Sequence, residues 1–450
     1  MTRFVTLFLA LVLAAPVWAQ RTAGVFVGNQ GAPASVTYVD PVTEEADQLL
    51  DGQLGGFLQG LAIINDKVYV TGNGNRIDVL DATTGERIAQ IQDDTFLAAR
   101  YIVEVGEGRA YVTTQNYSAT ATTSDVVIVD TDQDTVIGRI PLPVTVDNSG
   151  SFPAVFGNPE GLTVVGTKAY VSQAAFGQGD EITVIDTGTG AVIASIPTGC
   201  TARYPLADDD GDVIVPCTGG EEILVIDSET DQITQRVAGP EGVSLGNGIA
   251  QDAVIETVNG TETVYIVAPS IGIVLFDPDT YEVMRTVAVP DIDGRPVTGI
   301  GVDTGRQRLY LGRPAPGAPF SANGTVTVHD LAGVLFETYS AGVYPSFVAV
   351  YTRGAVSSEP VADAAGFDLT LAGPNPTRGQ TALAITLRQP ATVRVTIHDV
   401  TGRVARTLDA TLAAGTQRID LDMGGLPAGA YLARVVADEG LATVPLVLVR

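Results

Sequence analysis

Apolar residues along most of this chain come in short runs broken by turn-forming residues, and the runs repeat. One unit reads Gly60-Leu61-Ala62-Ile63-Ile64, Lys67-Val68-Tyr69-Val70, Ile77-Asp78-Val79-Leu80-Asp81, then Thr84-Gly85 and Arg87 to Ile91. Each run has strand length and is bounded by turn residues, which predicts four short strands per unit. The first is mostly apolar, as a strand covered on both faces should be. The third ends in an aspartate that precedes a turn.

Two markers set the number of units. The aspartate recurs as Asp40, Asp81, Asp130, Asp186, Asp227, Asp277 and Asp330. The second run recurs as Val25-Phe26-Val27, Val68-Tyr69-Val70, Ala110-Tyr111-Val112, Ala169-Tyr170-Val171, Val213-Ile214-Val215, Val264-Tyr265-Ile266 and Leu309-Tyr310-Leu311. Both give seven, at a spacing suited to four-stranded propeller blades. The first unit lacks an inner run, because Gly24 opens directly on a second-strand pattern. Ser346-Phe347-Val348-Ala349-Val350-Tyr351 is an inner run with no followers. Pairing the two would close a ring and remove its exposed edges. The pattern predicts an all-β chain whose residues 20–352 form a seven-bladed β-propeller. Through Tyr69-Val70-Thr71-Gly72-Asn73 and Tyr111-Val112-Thr113 it resembles the YVTN family of propeller repeats.

The repeat stops at a small, polar linker, residues 353–363. Residues 364–450 follow a different alternation: Leu383, Ile385, Leu387; Val393, Val395, Ile397; Tyr431, Ala433, Val435; Val444, Leu446, Leu448. Half-buried strands of a small immunoglobulin-like β-sandwich are expected. Pro374-Asn375-Pro376, Asp399-Val400-Thr401-Gly402-Arg403, Leu426-Pro427-Ala428-Gly429-Ala430-Tyr431 and the terminal Arg450 resemble the type A sorting domain of type IX secretion. Gly373 and His398 depart from that pattern, at places where the family often has aromatic residues. The resemblance implies passage across an outer membrane of the Bacteroidetes type, the type IX secretion machinery as partner, and a cell-surface or extracellular destination. A plain immunoglobulin-like module is the alternative.

The N-terminus changes the picture in the same direction. Arg3, the apolar stretch Phe4 to Ala15 and the small residues of Val17-Trp18-Ala19 read as a signal peptide over residues 1–19, cleaved before Gln20. That stretch is too short to span a bilayer, and no later one is long enough, so no membrane span is expected. The net charge is −27, from 52 acidic and 25 basic residues. Such a surface repels nucleic acid and anionic membranes. Lys67 and Lys168 are the only lysines.

Candidate chemistry is sparse. The seven repeated aspartates suit tight turns, since Asp accepts backbone hydrogen bonds two residues on. Histidine occurs only as His329 and His398. His329 takes a packing position that is apolar in the other units. This scarcity argues against histidine-held metals and a Ser-His-Asp triad, and weighs against an enzyme. No motif implies a cofactor. Calcium stays open through Asp208, Asp210 and Asp212 in one acidic loop and through Asp130-Thr131-Asp132-Gln133-Asp134 in another, although neither has EF-hand spacing. Solvated acidic turns are the plainer reading. Cys200 precedes an inner strand and Cys217 follows a second strand. Up-and-down topology puts both at one face of the same blade, which suggests a disulfide in an exported protein.

That face also carries the long loops, with Tyr117, Phe152, Phe156, Phe176 and Phe320. Gln59, Arg100, Glu160, Arg203, Asn247, Thr298 and Tyr344 lead into the inner strands and would ring the channel mouth, with Tyr204 beside them. A concave mouth with aromatics and a few polar groups is the default ligand pocket. Arg100 and Arg203 either hold an anionic or amide-rich ligand or pair with a carboxylate such as Glu160 and tie blades together. Three functions are compatible: an exported binding protein that captures a small molecule (a nutrient or corrinoid-like compound) or a protein; a calcium-dependent hydrolase or lactonase; and a structural or adhesive surface component.

Overall fold

A computed structural model describes residues 21–353 and 367–449, apart from 42, 55, 73, 94–95, 97, 151–152, 175–178, 247, 249–250, 290–294, 388–389, 400–403 and 438–439. The expected signal peptide, the linker after Arg353, Phe152, Phe176, Asn247, Asn73, residues 400–403 of the sorting-type motif and Arg450 lie outside the described residues. Two compact units separate, Gln20–Arg353 and one holding Gly354–Arg450. Among the described residues there is no helix, and so none long and apolar enough to cross a membrane.

The larger unit contains seven antiparallel four-stranded sheets among its described residues. Sheet 2 runs Leu58–Ile64, Lys67–Gly72, Arg76–Asp81, Arg87–Gln92, and sheet 3 runs Ala99–Gly106, Arg109–Thr114, Thr123–Asp130, Thr135–Pro143. Sheet 4 is Leu162–Val165, Lys168–Ser172, Glu181–Asp186, Val192–Pro197, and sheet 5 is Leu206–Ala207, Asp212–Pro216, Glu222–Asp227, Gln232–Ala238. Sheet 6 is Ala253–Val258, Thr261–Ala268, Gly272–Asp277, Glu282–Ala288, and sheet 7 is Gly299–Asp303, Arg308–Arg313, Asn323–Asp330, Leu335–Val343. In each of these the strands pair in chain order.

Sheet 1 joins the two ends of the unit. Its order is Glu45–Leu49, Ser35–Asp40, Arg21–Asn29 and then Pro345–Arg353. Val25 faces Val350, Phe26 faces Ala349 and Val27 faces Val348, which is the pairing expected from the pattern. First strands of consecutive sheets touch in sequence, and that of sheet 7 touches Pro345–Arg353. The strands thus form a closed circle, consistent with a β-propeller. Glycine is required where first strands approach most closely. A Cβ at Gly161 would run into the carbonyl of Arg203, and one at Gly299 into the backbone of Ser346.

Burial grades outward. Second and third strands such as Lys67–Gly72 and Arg76–Asp81 are covered on both faces. Fourth strands such as Arg87–Gln92 leave every second residue exposed. The seven aspartates end third strands and cap the following turn. Asp81 Oδ1 accepts the N–H groups of Thr83 and Thr84 at 2.8 Å. Asp130, Asp186, Asp227, Asp277, Asp330 and Asp40 do the same for their turns. Beside that turn, sheets 2 to 7 each carry a register shift between third and fourth strands. Such bulges increase strand twist.

The sheets are tied to one another at this turn face. Lys67 Nζ donates to Thr131 O at 2.8 Å and to Asp134 Oδ2 at 2.7 Å, and Tyr69 Oη donates to Asp134 Oδ1 at 2.8 Å. Lys168 and Tyr170 repeat the arrangement on Ser228 O and Asp231. Arg109 and Tyr111 reach Thr187 O, Tyr281 Oη reaches Asp212 Oδ2, and Arg285 reaches Leu331 O. Arg306 bonds to Pro41 O and Tyr351 Oη to Asp66 Oδ1. Every junction in the circle is bridged. Cys200 and Cys217 are joined in a disulfide, with Cα atoms 5.7 Å apart.

In the C-terminal unit, a three-stranded sheet has the order Phe367–Leu371, Gln380–Leu387, Gly415–Asp422. A four-stranded one has the order Val404–Leu412, Ala391–Asp399, Gly429–Ala437, Gly440–Leu448. Leu383 and Ile385 from one sheet share a core with Val393, Val435 and Leu446 from the other.

Two outcomes are expected. Ending the chain at Ser340 removes Pro345–Arg353 and uncovers Arg21–Asn29, so the truncated protein should aggregate, as read by size-exclusion chromatography; a soluble monomer would contradict the closure argument. Replacing both Cys200 and Cys217 by serine should lower unfolding stability by about 3 kcal/mol, measured by urea titration, because the chemical loop spans 17 residues.

Candidate functional site

The residues that lead into the first strands meet at the face opposite the turns. Connections between sheets and the loops joining second to third strands all emerge there. Gln59, Arg100, Glu160, Arg203, Thr298 and Tyr344 lie on it, and each is at least 95% buried. Their side chains are packed against one another and against neighbouring strands.

Glu160 is the hub. Its Oε1 accepts Arg203 Nη2 at 2.9 Å and a second bond from Arg100 Nη2, while its Oε2 accepts Gln115 Nε2. Arg100 also donates to Gln59 Oε1, which takes Gln30 Nε2 at 3.3 Å. On the other side Arg203 Nη1 lies 3.3 Å from Asp252 Oδ2, which accepts Thr218 Oγ1 at 2.8 Å. Thr298 Oγ1 bonds to Pro345 O at 2.7 Å. A belt of polar contacts therefore runs from sheet 1 through sheets 2, 3, 4 and 5 to sheet 6, and sheet 7 is tied back to sheet 1. Two guanidiniums balance two carboxylates, so the buried charge sums to zero. Burial alone would push the Glu160 carboxyl up, but Arg100 and Arg203 outweigh it and hold the group below its ordinary value of 4.5.

Further contacts link the first strands near the centre of the circle. Arg203 Nη2 donates to Tyr101 Oη at 3.3 Å. The Tyr101 ring meets Tyr204 edge-on at 5.2 Å and Phe347 at 6.0 Å. Gln251 Oε1 accepts the N–H of Val348 at 2.8 Å, joining sheet 6 to sheet 1. Burial raises the phenol pKa values of Tyr101 and Tyr204.

Asp252, Gln115, Tyr101 and Gln251 were missed in the sequence. Among the described residues the sixth first strand runs Ala253–Val258. Asp252 was legible only as the polar residue before that strand.

The acidic loops have structural occupations. Asp208 Oδ1 accepts the Asp212 N–H at 2.7 Å, and Asp212 Oδ2 accepts Tyr281 Oη at 2.8 Å. Burial, together with Asp209, Asp208 and Asp279, pushes the Glu262 carboxyl of sheet 6 up to about 7. Asp208, Asp210 and Asp212 do not converge on one point. Among the described residues the one tight group of metal-ligating types is Cys200, Cys217 and Glu222, whose sulfurs are joined to each other. His329 is buried, with Nδ1 3.0 Å from Gly333 O and Nε2 3.0 Å from Thr327 Oγ1. Burial lowers its pKa, as suits a neutral core histidine.

In the C-terminal unit the motif residues lock strands. Asn375 Oδ1 accepts the Val447 N–H at 2.7 Å, and Tyr431 Oη donates to Pro427 O at 2.7 Å. Residues 373–449 match the family of the secretion system C-terminal sorting domain. The protein is exported, to the cell surface or the extracellular medium. The sorting domain implies the type IX secretion machinery as a partner. The comparison with curated proteins finds no match. Among solved structures the chain is similar to a dihydro-heme d1 dehydrogenase, NirN, at 14% identity and TM-score 0.48, over 76% of this chain and 78% of that one. It is also similar to the extracellular domain of a B. thetaiotaomicron protein named as a one component system, at 13% identity and TM-score 0.44. That match covers 94% of this chain and 56% of the other.

Glu160→Gln keeps the shape of the hub but leaves two buried guanidiniums facing one carboxylate. It should cost about 3–5 kcal/mol of stability at neutral pH. Because the folded pKa is lowered, the contribution of Glu160 is complete above 4.5 and is lost as pH falls through the folded value. The gap between wild type and variant should therefore close in acid. Equal denaturation midpoints at pH 7 would show that the belt does not hold the sheets.

Proposed function

We propose that the protein is an exported binding protein: a seven-bladed β-propeller of the YVTN repeat type, presenting its recognition surface on the loop face, joined to an immunoglobulin-like sorting module. One observation carries this reading. Phe57, Tyr117, Phe156, Phe320 and Phe336 are the exposed aromatic rings among the described residues. The first four lie in loops of one face. Only Phe336 lies elsewhere, on a fourth strand under the guanidinium of Arg308, 4.0 Å from the ring centroid. Exposed aromatic rings mark binding surfaces, because a flat ring contributes large contact area at low entropic cost. The turn face is given to capped turns and polar ties instead.

The belt supports a rigid platform rather than an open funnel. Arg100 and Arg203 have their donors on Glu160, Gln59, Asp252 and Tyr101, which favours the blade-tying role over a ligand role for these two residues. Tyr344 keeps its place in the ligand reading, since it lines a cavity open at the loop face. The hairpin Thr145–Asp147 with Ala154–Phe156 adds a relief to that face. Its base is pinned by Asn158, whose Oδ1 accepts the Asn116 N–H at 3.0 Å.

Purified protein incubated in the spent growth medium of the producing cells, washed and denatured should release a retained compound detectable by mass spectrometry. Replacing Phe57, Tyr117, Phe156 and Phe320 together by alanine should abolish retention, whereas Phe336→Ala should not. Equal retention by the two variants, or none by wild type, would remove the case for a loop-face binding function.

A further inference from the structure

A cavity of about 260 Å3 opens on the loop face of sheet 7. Arg295, Pro296, Pro314, Pro319, Phe320 and Tyr344 are among its walls. They come from three segments: the connection before Gly299–Asp303, the loop between Arg308–Arg313 and Asn323–Asp330, and the link into Pro345–Arg353. The Tyr344 ring stacks on Phe320, with centroids 4.4 Å apart and planes inclined by 15°. Tyr344 is buried and Phe320 is 51% exposed. One face of Phe320 is therefore taken and the other is open.

Tyr344 adopts φ 57°, a region that bulky side chains rarely occupy. Its carbonyl accepts the Gln30 N–H at 2.9 Å and Ser346 Oγ at 2.7 Å. Those bonds hold the backbone so that the ring lies under Phe320. Strain maintained by its surroundings is a feature of ligand sites. The proline walls are rigid and lose no side-chain entropy when a ligand packs on them. The cavity also has a cationic side. Arg295 Nη1 donates to Thr325 Oγ1 at 3.1 Å, and the carbonyl of Arg295 accepts Arg313 Nη1 at 2.7 Å. Arg313 is buried, with Nε 3.1 Å from Thr327 Oγ1. Arg295 is thus the charged residue among the cavity's walls, in a chain of net charge −27.

We propose that this cavity binds a small planar ring compound carrying an acidic group, with the ring on the open face of Phe320 and the acid toward Arg295. The inference rests on the loop-face reading and names its ligand class. The volume admits one compact ring system, just below the usual 300–1,000 Å3 of small-molecule pockets. Stacking on Phe320 and contact with the proline rings select a flat apolar body. A guanidinium, planar and always charged, selects a carboxylate or similar anion.

The probe is naphthoate, with neutral naphthamide as its uncharged counterpart, titrated calorimetrically into the full chain. Wild type should bind naphthoate saturably and more tightly than naphthamide. Phe320→Ala should weaken both by about tenfold. Arg295→Gln should weaken naphthoate by about tenfold and change naphthamide by less than about twofold. Each variant is checked by its melting curve, and Phe320→Leu replaces the alanine variant if that one fails to fold. Absence of saturable naphthoate binding to wild type, or an unchanged affinity in Phe320→Ala, overturns the site. Equal affinity for the two probes overturns the acidic group. Loss of the site while the four-aromatic variant still loses its native ligand would place recognition at Phe57, Tyr117 or Phe156, so the two readings fail separately.

Discussion

The pairing of Pro345–Arg353 with Arg21–Asn29 is the constraint on which the larger unit depends. A row of sheets packed face against face has two ends, and each end would present an apolar surface and an unpaired strand edge. Here the last strand of the chain segment completes the first sheet, so the row has no ends. The circle then fixes the distance of every first strand from the centre. That is why Gly161 and Gly299 stand where backbones nearly touch, and why outer strands, further apart and solvated, tolerate alternating exposed residues.

Two polar layers complete the circle, one near each face. On the turn face, a cation and a tyrosine two residues apart reach into the next sheet and hold its turn. Both lysines of the chain are used in this way, on Asp134 and Asp231, each in a left-handed backbone position at a turn. These groups are only part-buried, so each tie is worth little alone; their effect lies in bridging every junction. On the loop face the Glu160 belt is fully buried. Removing charges from water is costly, and the belt is tolerable only because the carboxylates and guanidiniums are matched and surrounded by further donors and acceptors. A belt of this kind fixes which sheet meets which, a task that interchangeable apolar faces perform poorly.

The proposed binding function follows from the difference between the faces. Turns on one face are short, capped and tied to their neighbours. Loops on the other are long and carry aromatic rings into solvent on a base made rigid by the belt. Recognition residues are commonly placed on loops held by a stiff scaffold. The C-terminal unit has a separate core and a separate role, since its motif residues brace their own strands and mark the chain for export.

Much of this was legible in the sequence. The repeat of aspartates and of Val-Tyr-Val runs placed the strands, because each strand is short, local in its turn chemistry and apolar by position. The pairing of the terminal strands could be inferred from a missing first run and a surplus one. The disulfide followed from topology, and the sorting match from its own motifs. The occupation of the loop-face polar residues could not be read in this way. Arg100, Glu160 and Arg203 look the same in sequence whether they face water or one another, and Asp252 carries no motif that sets it apart from the other aspartates. Which side chains converge at the centre of a circle depends on contacts between residues far apart in the chain, such as Arg203 with Tyr101 or Gln251 with Val348, whose geometry exists only once the circle is closed.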